Sequence, residues 1–223
     1  AELGAIATQS LVNFSLGPLF LEKLQEGLSL EAIMEHFREV DEGIELRQIG
    51  MATYEGDVLS FTGNKCLEWA GHREGKNYCC QGNILVGPEV IENMGKAFEN
   101  ASGPLSSKLF AALQAADNAG GDARGKQSAR IIVEKKGAGF LDGDRLIDIN
   151  VEDHDEPVQE LGRILSVFQF YQHINTVYAK YEDHPDKAIN EMEKYMLGRE
   201  ERHEKDGWAM LGYMSVSYTH LRA

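Results

Sequence analysis

Gly120-Gly121-Asp122-Ala123-Arg124-Gly125-Lys126-Gln127-Ser128-Ala129 leads straight into an apolar, strand-like run at 129–133, and it follows Leu105, Leu109, Leu113 and Ala116 at helical spacing. The local order is therefore helix, glycine loop, strand. A Walker-type phosphate loop needs the reverse order, because the amino terminus of the following helix must face the phosphate. The full Gly-x-x-x-x-Gly-Lys-Ser/Thr motif is missing as well, since Gln127 stands at its Ser/Thr position. Nucleotide binding is thereby excluded. Two accounts of the loop remain. In one, Gly120 or Gly121 closes the helix and an Asp122–Arg124 pair braces the turn. In the other, the loop faces a substrate and Arg124 or Ser128 meets a polar group.

Outward from this loop, helices and strands come in separate runs. Pro18 opens a first helix that Gly27 stops, and Ser29 caps a second whose buried stripe is Ile33, Met34, Phe37 and Val40. Strands are predicted at 44–53 and 58–62 around the turn Tyr54-Glu55-Gly56-Asp57, and a third at 78–85. Pro88 and Pro104 open two further helices. Strands return at 128–134 and 146–151, joined through Gly137-Ala138-Gly139. Runs of this kind predict an α+β fold with layered antiparallel sheet, not alternating parallel units. After Glu152-Asp153-His154-Asp155-Glu156-Pro157 the strand signals end. The predicted division is a main domain at 1–151, an acidic helical extension at 152–214 and a non-native tail at 215–223. Ala188, Met192 and Tyr195, with Trp208 to Gly212 beyond, carry a tetratricopeptide-like pattern, and a plain helical extension fits equally.

Charge narrows the partners. Across 223 residues the formal net charge is -14, which repels nucleic acid and anionic membrane surfaces. No stretch reaches the roughly 18 apolar residues of a membrane span. Cys66, Cys79 and Cys80 are odd in number, and the adjacent pair would point to opposite strand faces. Reduced thiols in a cytoplasmic protein are expected. His154, His173, His184 and His203 form no zinc-type pair, so neither metal nor cofactor is expected. Carboxylates Asp153, Asp155 and Glu156 before Pro157, and Asp183 and Asp186 around Pro185, suit helix amino termini.

Two further clusters carry polar chemistry. His72 in Gly71-His72-Arg73 is predicted in a loop at a sheet edge, either as a proton relay or as a structural histidine. Gln81 and Asn83 alternate on one strand face, where two amides could hold a carboxamide or an oxyanion, or simply brace neighbouring strands.

These clusters fall in a recognisable order with Gly-Ala-Ile-Ala-Thr-Gln at 4–9, Arg47-Gln48-Ile49-Gly50 and Phe61-Thr62-Gly63. Over about 3–165 the chain resembles the uncharacterised Ntn-hydrolase-superfamily proteins known as domain-of-unknown-function family 1028. The resemblance implies an αββα sandwich of two stacked antiparallel sheets. It also implies amide-bond hydrolysis by an N-terminal Ser, Thr or Cys whose own α-amino group is the base. Relatives carry two further strands upstream, so the nucleophile is expected on a strand that this chain lacks, and the tail 216–223 resembles sequencing adapter. Internal Thr8, Ser10, Thr62 and Ser128 have no free α-amino group, so the fragment is expected to be inactive. The expected catalytic group is His72, Asp122 and Arg124, with Gln81, Asn83, Gln127 and Ser128 binding a small-molecule or peptide-like amide. The rival reading is a non-catalytic scaffold. An oligomer or protein partner would engage the helical extension.

Overall fold

A computed structural model describes residues 1–181 and 184–196. The expectations placed on Asp183, His203, 208–212 and 216–223 lie outside the described residues. The fold is α+β, with antiparallel sheets throughout. The first compact unit spans Ala1–Leu161 and a second begins at Gly162.

In the first unit, β1 (Gly4–Ser10), β2 (Arg47–Thr53) and β3 (Val58–Thr62) form one sheet in that order. Strand parity then decides where everything packs. Ile49 opposes Thr8 and Phe61, and Met51 opposes Ile6 and Leu59. That face meets α1 (Leu16–Gln25) and α2 (Leu30–Val40), burying Leu16, Phe20, Ile33 and Phe37 against Ile49 and Met51. The Ser29 hydroxyl accepts from the Ala32 N–H and caps α2 as its sequence position predicts. An ion pair anchors the entry to β2. Arg47 Nε and its second fork nitrogen donate to the two oxygens of buried Asp41, at 2.9 and 3.1 Å. Asn13 and the Gly43 N–H donate to the same carboxylate.

The other face of this sheet carries Gln48, Gly50 and Ala52, and it packs on β4 (Gly71–Gly75) and β5 (Tyr78–Gly82). Behind this pair lies α3 (Glu89–Asn100), beside α4 (Leu105–Asn118). Tyr78, Cys80 and Ile91 form the core there. Arg73 passes between β4 and α3 to reach Glu92 and Glu99 over Gly95, where a Cβ would sit 2.5 Å from Arg73 Nε and displace the guanidinium. A separate hairpin, β6 (Ala129–Glu134) with β7 (Arg145–Val151), buries Ala129, Ile131 and Val133 and exposes the alternate side chains.

Several expectations from the sequence are corrected: Val40 is exposed rather than part of the buried stripe of α2, and the third strand ends at Gly82, short of Asn83. His72 lies on a strand, not in a loop, paired with Gln81 across β4 and β5. Residues 4–10 form a strand that the apolar pattern does not announce. Ile44–Leu46 is a short 3-10 turn and the strand starts at Arg47.

In the second unit, α5 (Pro157–Lys180) continues past Gly162 and is followed by α6 (Pro185–Met196). Phe170, Ile174, Val177, Ala188, Met192 and Met196 make its own core. No helix among the described residues is long and apolar enough to cross a membrane.

Candidate functional site

Between the two stacked sheets the packing is polar rather than oily. Gln48 is its centre and is fully buried. Its Nε2 donates to Thr62 Oγ1 at 3.0 Å, to the Gly71 carbonyl at 3.0 Å and to the Gly82 carbonyl at 2.8 Å. Its Oε1 accepts from Gln9 Nε2 at 2.9 Å and Asn83 Nδ2 at 3.2 Å. One amide thus ties β1 and β3 to both strands of the facing sheet. Thr62 Oγ1 also lies 2.9 Å from His72 Nδ1.

Gln81 takes a different position. Its Nε2 donates to the Ala7 carbonyl at 3.1 Å, while its buried Oε1 has no hydrogen-bond partner. Gly50 makes room for it, since a Cβ there would sit 2.3 Å from that oxygen. Gln81 also lines a cleft of about 640 Å³. The apolar wall of the cleft includes Leu85, Ile91, Met94, Leu113 and Val158, and its polar rim is Asp117, Asp122, Arg124, Lys126, Gln127 and Ser128.

The rim is built from the glycine loop. Gly120 and Gly121 both have positive φ, and their N–H groups return to Asp117 and Ala116, closing α4. The chain then runs beside the end of β5, with Val86 N–H donating to the Gly121 carbonyl and Ala123 N–H to Ile84. Asp122 accepts from Arg124 twice, from Nε at 3.0 Å and from the fork nitrogen at 2.7 Å, and also from the Arg124 N–H. This holds the Asp122 carboxyl below its ordinary range. Arg124 itself is largely exposed at the cleft mouth. Lys126 bridges Asp117 of α4 and Glu156 just before α5, and these contacts raise its pKa. Gln127 Nε2 donates to Asp153.

Five of the seven residues singled out from the sequence therefore share one cleft, namely Gln81, Asp122, Arg124, Gln127 and Ser128. His72 and Asn83 do not line it, and both join the Gln48 network. Sequence reasoning passed over Gln48 itself. The available signal was parity, because Gln48, Gly50 and Ala52 alternate with the apolar Ile49 and Met51. Neither Cys79 nor Cys80 is activated. Burial pushes the Cys80 thiol up to about 11 and raises Cys79 as well.

A family model described as a family of unknown function, DUF1028, matches residues 1–161. The chain belongs to DUF1028. The match ends where the first compact unit ends. Among solved structures, the crystal structure of protein SPO2555 from Silicibacter pomeroyi, also of DUF1028, superposes with a TM-score of 0.65 at 23% identity. It covers 74% of this chain and 72% of that one, and at this identity the likeness speaks for the fold alone. No curated protein matches.

Proposed function

We propose that this DUF1028 domain is of Ntn type and that the complete protein hydrolyses amide bonds, with a nucleophile carried on an upstream strand seated beside β5. The observation that carries this reading is the open edge of β5. Next to that edge the inward face of β1 is uncovered, leaving Ala5 and Ala7 exposed on what is otherwise a covered sheet. Small side chains there leave clearance for one more strand. The glycine loop runs along the continuation of β5 on the same side, so a strand in that position would end against the rim of Asp122 to Ser128. The succession of helix pair, sheet, sheet and helix pair supports the same reading.

In this mechanism the hydroxyl or thiol of an N-terminal Ser, Thr or Cys attacks the amide carbonyl carbon. Its α-amino group takes the proton and delivers it to the leaving amine, and water then releases the acid from the acyl-enzyme. Within the chain, Gln81 offers an acceptor, Gln127 and Ser128 offer polar contacts, and Arg124, held by Asp122, meets the polar end of the substrate. His72 and Asn83 act through Gln48 by holding the two sheets in register.

The test is to express the gene with its upstream segment, determine the mature amino terminus by mass spectrometry and assay amide hydrolysis. Exposure of Ser, Thr or Cys with turnover is expected. Arg124→Ala should then lower kcat/KM on the order of tenfold to a hundredfold with thermal stability unchanged. Intact protein that an amide-directed electrophile leaves unlabelled overturns the proposal and favours a binding role.

A further inference from the structure

The cleft beside β5 is sorted by polarity. Its apolar wall is Leu85 after β5, Ile91 and Met94 of α3, Leu113 of α4 and Val158 of α5. Its charged groups stand together on the rim, two carboxylates and two cations: Asp117, Asp122, Arg124 and Lys126. At about 640 Å³ the cleft falls in the range, roughly 300–1,000 Å³, of sites that enclose a small organic molecule.

Neither cation on this rim is left unpaired. Arg124 lies 2.7 Å from Asp122, and Lys126 lies 3.1 Å from Asp117 while it also reaches Glu156. An anionic ligand must therefore compete with carboxylates already in place, and a cationic one with Arg124 and Lys126. The protein's net charge of -14 adds to the cost of an anion. An ion brought against the apolar wall loses hydration and gains no free counter-ion in return. A neutral amide escapes this cost. Its carbonyl can accept from Arg124 Nη1, the fork nitrogen that the Asp122 carboxylate leaves unused.

We infer that the amide this cleft takes is uncharged and carries an apolar acyl arm that lies along Ile91, Met94 and Leu113. Asp117 and Glu156 are its specificity-determining residues, because by holding Lys126 they keep carboxylate-bearing amides out. The inference rests on the hydrolase reading for the fate of the amide, whereas its binding half is measured on this chain without turnover.

The experiment is titration of the 223-residue chain with octanamide, octanoate, octylammonium and butanamide, followed by NMR at the Met94 and Leu113 methyl groups. Octanamide should bind at least about tenfold more tightly than either ion. From butanamide to octanamide, affinity should rise about fourfold for each methylene buried. Asp117→Asn with Glu156→Gln releases Lys126 and should move the preference about tenfold toward octanoate, and adding Lys126→Met should move it back. Circular dichroism checks that each variant stays folded. Equal affinity for octanamide and octanoate, no gain with chain length, no binding up to the solubility limit, or a double variant that keeps the wild-type order would each overturn the inference. In the full-length protein the same order should appear in kcat/KM. Amide turnover without that order overturns this inference and leaves hydrolysis standing. Octanamide binding in that order by this chain, with no turnover by the full-length protein, does the reverse.

Discussion

Asp41 shows how one residue can govern the acid behaviour of a domain. The Arg47 guanidinium, with help from Asn13 and the Gly43 N–H, pulls its carboxyl from 3.8 down to about 2. Because the folded value lies below the unfolded one, the unfolded chain binds more protons between these pH values. Stability is therefore fully present above about pH 4 and is lost as pH falls through 2. The shift corresponds to about 2 kcal/mol, and the Asp41 side chain is buried enough that little of it is screened away. Asp41→Asn should lower stability near neutral pH and flatten the pH dependence between 2 and 4, as read by urea denaturation. A variant with the wild-type acid profile would assign the transition to other carboxylates. At this same scale the candidate site was half legible. Glycine spacing and the Asp122–Arg124 pair are local and readable, whereas Gln48 acts only through partners far along the chain, and spacing cannot show that.

The elements differ in how much of their pairing is written in their apolar pattern. α2 buries a stripe of Leu30, Ile33, Met34 and Phe37 and announces itself, as does β6 with its strict alternation. β1 and β4 do not, for reasons visible in the packing. β1 is largely small residues, because its inward face lies open beside β5 and its outward face meets α1 closely enough that a Cβ at Gly4 would sit 2.9 Å from Leu24. β4 is Gly71-His72-Arg73-Glu74-Gly75. Its two faces meet the polar seam and the carboxylates of α3, so no hydrophobic alternation is needed. The stacking of the sheets thus rests on amides more than on oil. Gln48→Leu tests this point. It keeps the bulk but leaves the Gly71 and Gly82 carbonyls and the Asn83 amide short of partners, at a cost of about 2–4 kcal/mol. Hydrogen exchange should rise at β4 and β5 before it rises at the Ile49 and Met51 side of the first sheet. Equal loss of protection throughout would mean that the seam is not a separate source of stability.

Among the described residues the first compact unit holds clusters around Phe37 and around Tyr78, the second unit holds a cluster of its own, and the boundary between the units falls inside α5. The family match, the first compact unit and the core around Phe37 and Ile49 all belong to residues 1–161. The second unit buries Phe170, Met192 and their neighbours in a cluster of its own. Two units joined by one continuous helix need not melt together, because cooperativity requires that losing one remove most of the contacts of the other. Calorimetry should therefore resolve two transitions. Met192→Ala removes a fully buried side chain from the second core and should lower one transition by about 2–5 kcal/mol while sparing the other. Phe37→Ala, equally buried in the first core, should do the converse at about 3–5 kcal/mol. Sites in separate clusters without shared partners act additively, so each transition in the double variant should move as it does in the matching single variant. If both variants shift one common transition equally, α5 couples the two units into a single cooperative body, and the division at residue 161 describes ancestry rather than energetics.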